Sequence, residues 1–266
     1  MGELLMKPKI DLAFKELMTE EKVRTGFLSA VLGIDPDSVE RTRLLNTYLR
    51  REHEEDKQGI VDVRVSLEDG TEIDIEIQLT KLSVWAERSL FYLSKMFTEQ
   101  LKPGGRYRTL KKCVGISILD FDLFRGEEDF YSSFHIREDS RGSLYTDKME
   151  FHVIELPKLP GELREENDKV ELWARFIRAE RKEGFDMLAE KDPYIESAYE
   201  HLQIISQDRE KQREYEAREK ALRDYNEGML EAEDLERAVN DKAYQRQLMQ
   251  EYGILAAPPE EKTPVA

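Results

Sequence analysis

Two segments alternate apolar and polar residues without a break: 59–67 (GIVDVRVSL) and 72–80 (EIDIEIQLT). Such alternation predicts two β-strands, and Glu68-Asp69-Gly70-Thr71 between them predicts a turn. Val61, Val63, Val65 and Leu67 share one face of the first strand; Ile73, Ile75, Ile77 and Leu79 share one face of the second. In a hairpin both apolar sets must lie on the same side of the sheet. A two-residue Asp-Gly turn would pair Val63 with Glu76 and violate that rule. A three-residue loop, with Gly70 in the left-handed region as a bulge, satisfies it. That register sets Asp62 opposite Glu76 and Arg64 opposite Asp74.

Directly opposed side chains stand about 5 Å apart at Cβ, so Asp62 and Glu76 repel one another and folding gains nothing from them. A divalent cation between them removes the repulsion, and oxygen ligands suit Mg²⁺ or Mn²⁺. Such an ion polarises a phosphodiester oxygen and lowers the pKa of bound water. The plainer alternative is that Asp62, Asp74, Glu76 and Gln78 form the wet face of an edge hairpin.

The rest of the chain supplies partners for these strands. Residues 10–32 read as two short helices ended by Gly33 and the Asp35-Pro36 break. Residues 83–101 have a helical apolar pattern that Pro103-Gly104-Gly105 terminates. Residues 112–119, 131–137 and 149–156 read as further strands. From about 165 to 252 the pattern is helical and highly charged, with one stripe at Ile195, Tyr199 and Leu202 and another at Tyr215, Leu222, Tyr225 and Met229. The expected organisation is a compact α/β core over 1–160, a charged helical region over 161–255 and a disordered tail over 256–266.

Charge at first argues against a nucleic-acid partner: the formal net charge is -16, whereas phosphate is usually met by Lys and Arg. The larger share of the acidic excess lies beyond residue 150. Between Leu101 and Leu119 stand Lys102, Arg106, Arg108, Lys111 and Lys112 with no acid among them, a candidate phosphate-facing patch or simply a basic solvated loop. With 39% hydrophobic residues the chain can bury a core, which excludes global disorder. The single cysteine, Cys113, excludes an intramolecular disulfide framework and fits a reducing cytoplasm. No apolar run approaches the roughly 18 residues that span a bilayer, and the N-terminus lacks the apolar stretch of a signal peptide. His53, His135, His152 and His201 show no zinc spacing with Cys113.

Several residues in order carry a resemblance. Asp11-Leu12-Ala13-Phe14-Lys15 opens the pattern as D-x-x-F-K, followed by Asp62-Val63, Ile75-Glu76-Ile77-Gln78 and Arg88-Ser89-Leu90-Phe91-Tyr92. Gln100-Leu101, Gly105, Tyr107, Leu110, the 116–121 strand and His152-Val153-Ile154-Glu155-Leu156 complete it. Over residues 8–160 the chain resembles the PD-(D/E)XK nucleases, most closely the recombination-promoting nuclease (Rpn) and nuclease-family transposases of bacteria. The resemblance implies a restriction-endonuclease-like α/β core, a mixed central sheet flanked by helices, and metal-dependent cleavage of phosphodiesters in DNA. It implies Asp62, Glu76 and the Ile77 carbonyl as ligands of Mg²⁺ or Mn²⁺, with Asp11 as an outer acid or merely a helix-start residue. Gln100 and Tyr107 match positions near the implied site.

One departure stands out: Gln78 holds the place of the motif's lysine. A glutamine orients water but brings no positive charge. Arg88 and Lys95 recur on one helical face with Tyr92 and Glu99, and either is a candidate for the missing cation. The expected function is therefore an endonuclease acting on DNA in the cytoplasm, with no membrane partner. Cutting both strands leaves a homodimer open. The rival expectation is a weak or inactive relative that binds DNA, or proteins through its C-terminal helices; a purely structural α/β domain is the third.

Overall fold

The computed structural model describes residues 5–39, 41–49, 61–163 and 168–240, with side chains of the last helix as far as residue 228. The tail expected over 256–266 and Met229 of the second stripe lie outside these. Two helices open the described chain, α1 (Asp11–Thr19) and α2 (Glu21–Leu32), the second ended by Gly33 at φ 63°. Six strands then form a single sheet: β1 (Arg43–Leu44), β2 (Val63–Ser66), β3 (Glu72–Gln78), β4 (Cys113–Leu119), β5 (Tyr131–Arg137) and β6 (Leu144–Glu155), in the order β1-β2-β3-β4-β6-β5. β2 runs antiparallel to both β1 and β3, β3, β4 and β6 run parallel, and β5 returns antiparallel on β6. A parallel neighbour requires a crossover, and α3 (Trp85–Glu99) supplies the one between β3 and β4.

The β2–β3 hairpin adopts the register that parity demands, with Val63 opposite Ile75, Arg64 opposite Asp74 and Val65 opposite Ile73. Its loop holds three residues, closed by the Gly70 N–H on Leu67 O (3.1 Å) and the Leu67 N–H on Thr71 O (2.8 Å). Gly70 sits at φ 89°, where a side chain is strained.

Both faces of the central strands β3 and β4 are buried. Ile73, Ile75 and Ile77 line up with Val114, Ile116 and Ile118, all buried. On the opposite face α3 lays down Trp85, Tyr92, Leu93 and Met96 against Cys113, Leu119 and Val153, joined by Leu49 and Val61. The Trp85 indole N–H donates to Ser117 Oγ at 3.1 Å, which fixes the start of α3 over the middle of β4.

The helical stretch after residue 168 is not continuous. It breaks into α4 (Lys169–Arg178), α5 (Lys182–Ala189), α6 (Pro193–Gln207) and α7 (Arg209–Asn240). Asp168 and Asp192 cap the starts of α4 and α6, each carboxylate accepting first-turn N–H groups. An edge-to-face chain of rings runs from Phe14 through Phe27 and Trp173 to Phe176 and Phe185. Gly26 allows α2 and α6 to touch: a Cβ there would lie 2.2 Å from Tyr194 Cβ. Tyr215 is buried, and its hydroxyl accepts the Lys7 N–H at 3.1 Å. The compact unit runs from Met1 to Glu216. The second unit, Ala217–Ala266, is helical in its described residues.

Candidate active site

Asp62 precedes β2, and Glu76 lies in the second half of β3. The Asp62 N–H donates to Glu76 Oε1 at 2.9 Å, and the Ile77 N–H donates to Asp62 Oδ2 at 3.1 Å. The Glu76 carboxylate is thus held by the Asp62 backbone, and the Asp62 carboxylate by the residue after Glu76. The register would set Val61 opposite Ile77, but the Val61 N–H donates to Thr47 O at 3.0 Å instead. Val61 therefore does not take up the Ile77 carbonyl.

These acids are not a wet face. Asp74 and Glu76 are each only 4% exposed, because α3 covers that side of β3 and β1–β2 cover its edge. Burial, reinforced by the charge of Asp62, pushes the Glu76 carboxyl up to about 8. Asp74 is driven well above the usual carboxylate range, first by burial and then by Glu76 and Asp62. Its Oδ1 is buried with no hydrogen-bond partner. Three carboxyl groups in a poorly solvated spot are costly, and a cation offsets that cost.

Positive side chains approach from two elements. Lys15 Nζ, on α1, lies 2.8 Å from Asp62 Oδ1 and 3.8 Å from Asp11 Oδ2, so Asp11 reaches the site through this lysine. Arg88 Nη2, on α3, lies 3.6 Å from Glu76 Oε2, while its guanidinium rests over the Trp85 and Tyr92 rings at 5.4 and 5.2 Å.

The other expected site residues fall elsewhere. The Gln78 amide donates to Thr80 O and Thr80 Oγ1, both at 2.9 Å, and is turned along its own strand. Lys95 is two helical turns beyond Arg88, over the Phe91 ring at 5.6 Å. Gln100 bridges the Lys111 N–H (2.7 Å) and Cys113 Sγ (3.0 Å). Cys113 stands opposite Glu72, which places Gln100 about 13 Å along the strand from Glu76 at 3.3 Å per residue. Gln100 therefore holds the end of α3 to β4. Tyr107 is 80% exposed on a short turn.

The basic segment enters the sheet at that same far end of β3. Lys102, Arg106, Arg108 and Lys111 are exposed, whereas Lys112 is engaged by the Glu150 carboxylate. It flanks the carboxylates at a distance rather than lining them. Lys15 and Asp74 are the two residues that pattern reading did not assign. Lys15 was visible in D-x-x-F-K and Asp74 in the alternation, but neither signal carries a distance.

Two carboxylates and a main-chain carbonyl form an all-oxygen donor set that suits a hard divalent cation. Among the described residues no three His, Cys, Asp or Glu side chains are arranged to hold a metal. Mg²⁺ ordinarily takes one or two carboxylates and completes its shell with water and phosphate, so the set fits. No helix among the described residues is long and apolar enough to cross a membrane.

A family model described as PD-(D/E)XK nuclease family transposase matches residues 8–232. The match takes in the whole sheet and all of α1–α6, and the mixed six-stranded α/β fold agrees with it. No curated protein and no solved structure matches the chain.

Proposed function

The chain belongs to the PD-(D/E)XK nuclease family transposases, and on that premise we propose that it is a divalent-metal-dependent endonuclease hydrolysing phosphodiester bonds in DNA. The observation that carries the reading is the interlocked pair: the half-buried Asp62 and the buried Glu76 are joined by two backbone N–H bonds, one from Asp62 and one from Ile77. Asp62, Glu76 and the Ile77 carbonyl would hold Mg²⁺ or Mn²⁺, which when bound supplies Lewis acidity and an activated water. Asp11 acts from one shell out, through Lys15. Arg88 balances Glu76, and the exposed cations of 102–111 engage flanking phosphates. The net charge of -16 makes metal-free binding weak.

The D-x-x-F-K opening, the I-E-I-Q strand and the R-S-L-F-Y helix support a place among the recombination-promoting members, acting on mobile elements or in recombination. The buried free thiol of Cys113 fits a cytoplasmic setting. Supercoiled plasmid incubated with Mg²⁺ or Mn²⁺ should be nicked or cut by the wild type and left intact by Asp62→Ala. Equal cleavage by both, or none by either, overturns the proposal. No cleavage with metal binding retained would instead favour a binding module.

A further inference from the structure

The motif's cation has no counterpart at residue 78, whose amide is spent on Thr80. Three other cations do not take its place. Arg88 rests over the Trp85 and Tyr92 rings of its own helix, turned toward the buried Glu76. Lys95 is two turns away over Phe91, and Lys112 is engaged by Glu150. Lys15 differs from all three. Its ammonium meets the more accessible carboxylate, Asp62 (20%), whereas Arg88 approaches the buried Glu76 (6%). An ammonium has three donors; Asp62 takes one, and at 3.8 Å Asp11 is beyond hydrogen-bond reach. The helix that carries it is well anchored, since Phe14 and Leu17 are buried.

We propose that Lys15 supplies, from α1, the positive charge that the nuclease motif ordinarily places two residues after Glu76. The inference rests on the nuclease reading above and assigns the residue that completes its electrostatics. Lys15 keeps its proton throughout. As the water oxygen forms the new P–O bond and the leaving oxygen departs with the electron pair of the old one, charge grows on the non-bridging oxygens. The unspent N–H donors of Lys15 face that charge. The water's proton passes to solvent, and the leaving oxygen is protonated there.

Three variants test this: Lys15→Met, Lys15→Arg and Lys15→Met/Gln78→Lys, each checked for an unchanged melting profile. Lys15→Met should lower kcat by about 100-fold or more, the scale of losing one preorganised donor, with a smaller change in KM and Mn²⁺ binding retained by calorimetry. Lys15→Arg should keep activity within about tenfold, and the double variant should recover at least about tenfold over Lys15→Met. Metal-free duplex binding by anisotropy supplies a readout without cleavage: the slope of log K against log salt should be shallower by about 1 in Lys15→Met. A variant that cuts like the wild type with an unchanged slope overturns the inference. So does loss of Mn²⁺ binding together with activity, which would make Lys15 only a prop for Asp62. If the wild type cuts no DNA, the nuclease reading fails, and the salt slope still decides whether Lys15 meets phosphate.

Discussion

The backbone N–H of Asp62 points at Glu76 Oε1, 2.9 Å away, so the start of one strand clamps the acid of its neighbour. Only the three-residue Gly70 loop permits this, because a one-residue slip would turn Glu76 to the other face. The clamp holds a carboxylate where water cannot, and the consequences are measurable.

Glu76 should destabilise the metal-free protein. Its carboxyl is pushed up to about 8 by burial and by Asp62. A carboxyl with a raised folded value binds its proton more tightly when folded. Its stability contribution is therefore full below about 4.5, the unfolded value, and lost as pH climbs to about 8. The melting temperature in chelator should fall between pH 5 and pH 8, and Glu76→Gln should flatten that fall. At pH 8 the variant should melt higher by about 2–4 °C, the equivalent of roughly 1 kcal/mol. A scan across pH by differential calorimetry checks both statements.

Glu150 should behave oppositely. The hydrogen bond to His152, joined by Lys112, pulls it down to about 2. A lowered carboxyl contributes above its unfolded value of 4.5 and loses that contribution as pH falls toward 2. Glu150→Gln should therefore cost stability at pH 7, by about 1–3 kcal/mol for a charged hydrogen bond, and much less at pH 3. Urea unfolding at the two values would show the difference.

The helices after residue 168 should be indispensable to the core. A fragment ending at residue 160 strips α4 and α6 from Phe27 and Gly26, so it should collapse without cooperative unfolding, whereas one ending at 216 should melt in a single transition. Gly26→Ala should cost about 1–3 kcal/mol through overpacking against Tyr194, read as a lower denaturation midpoint.

Much of this was legible in residues and much was not. Alternation and parity gave the Arg64–Asp74 pairing and the three-residue loop, because strand geometry has a period of two and admits one answer. Alternation could not tell a wet polar face from a covered one. That depends on α3, whose Trp85 reaches across to Ser117, a contact 32 residues apart in sequence. β1 has only Arg43 and Leu44, too few for any period. The charged helices read as a separate region since their exposed faces dominate composition, while the buried stripe at Ile195, Ala198 and Leu202 meets α2 across Gly26. Gln100 and Tyr107 kept their place in the order of the chain, but the sheet carried them to the far end of β3 or out to solvent.

Titration of Mn²⁺ into the wild type and Glu76→Ala at pH 8, followed by calorimetry, asks whether Asp62 and Glu76 hold a metal. Binding should be saturable and abolished by Glu76→Ala, and its heat, repeated at pH 7, should vary with the buffer because Glu76 releases its proton. Equal binding by both proteins, or no binding by the wild type, would contradict the metal site.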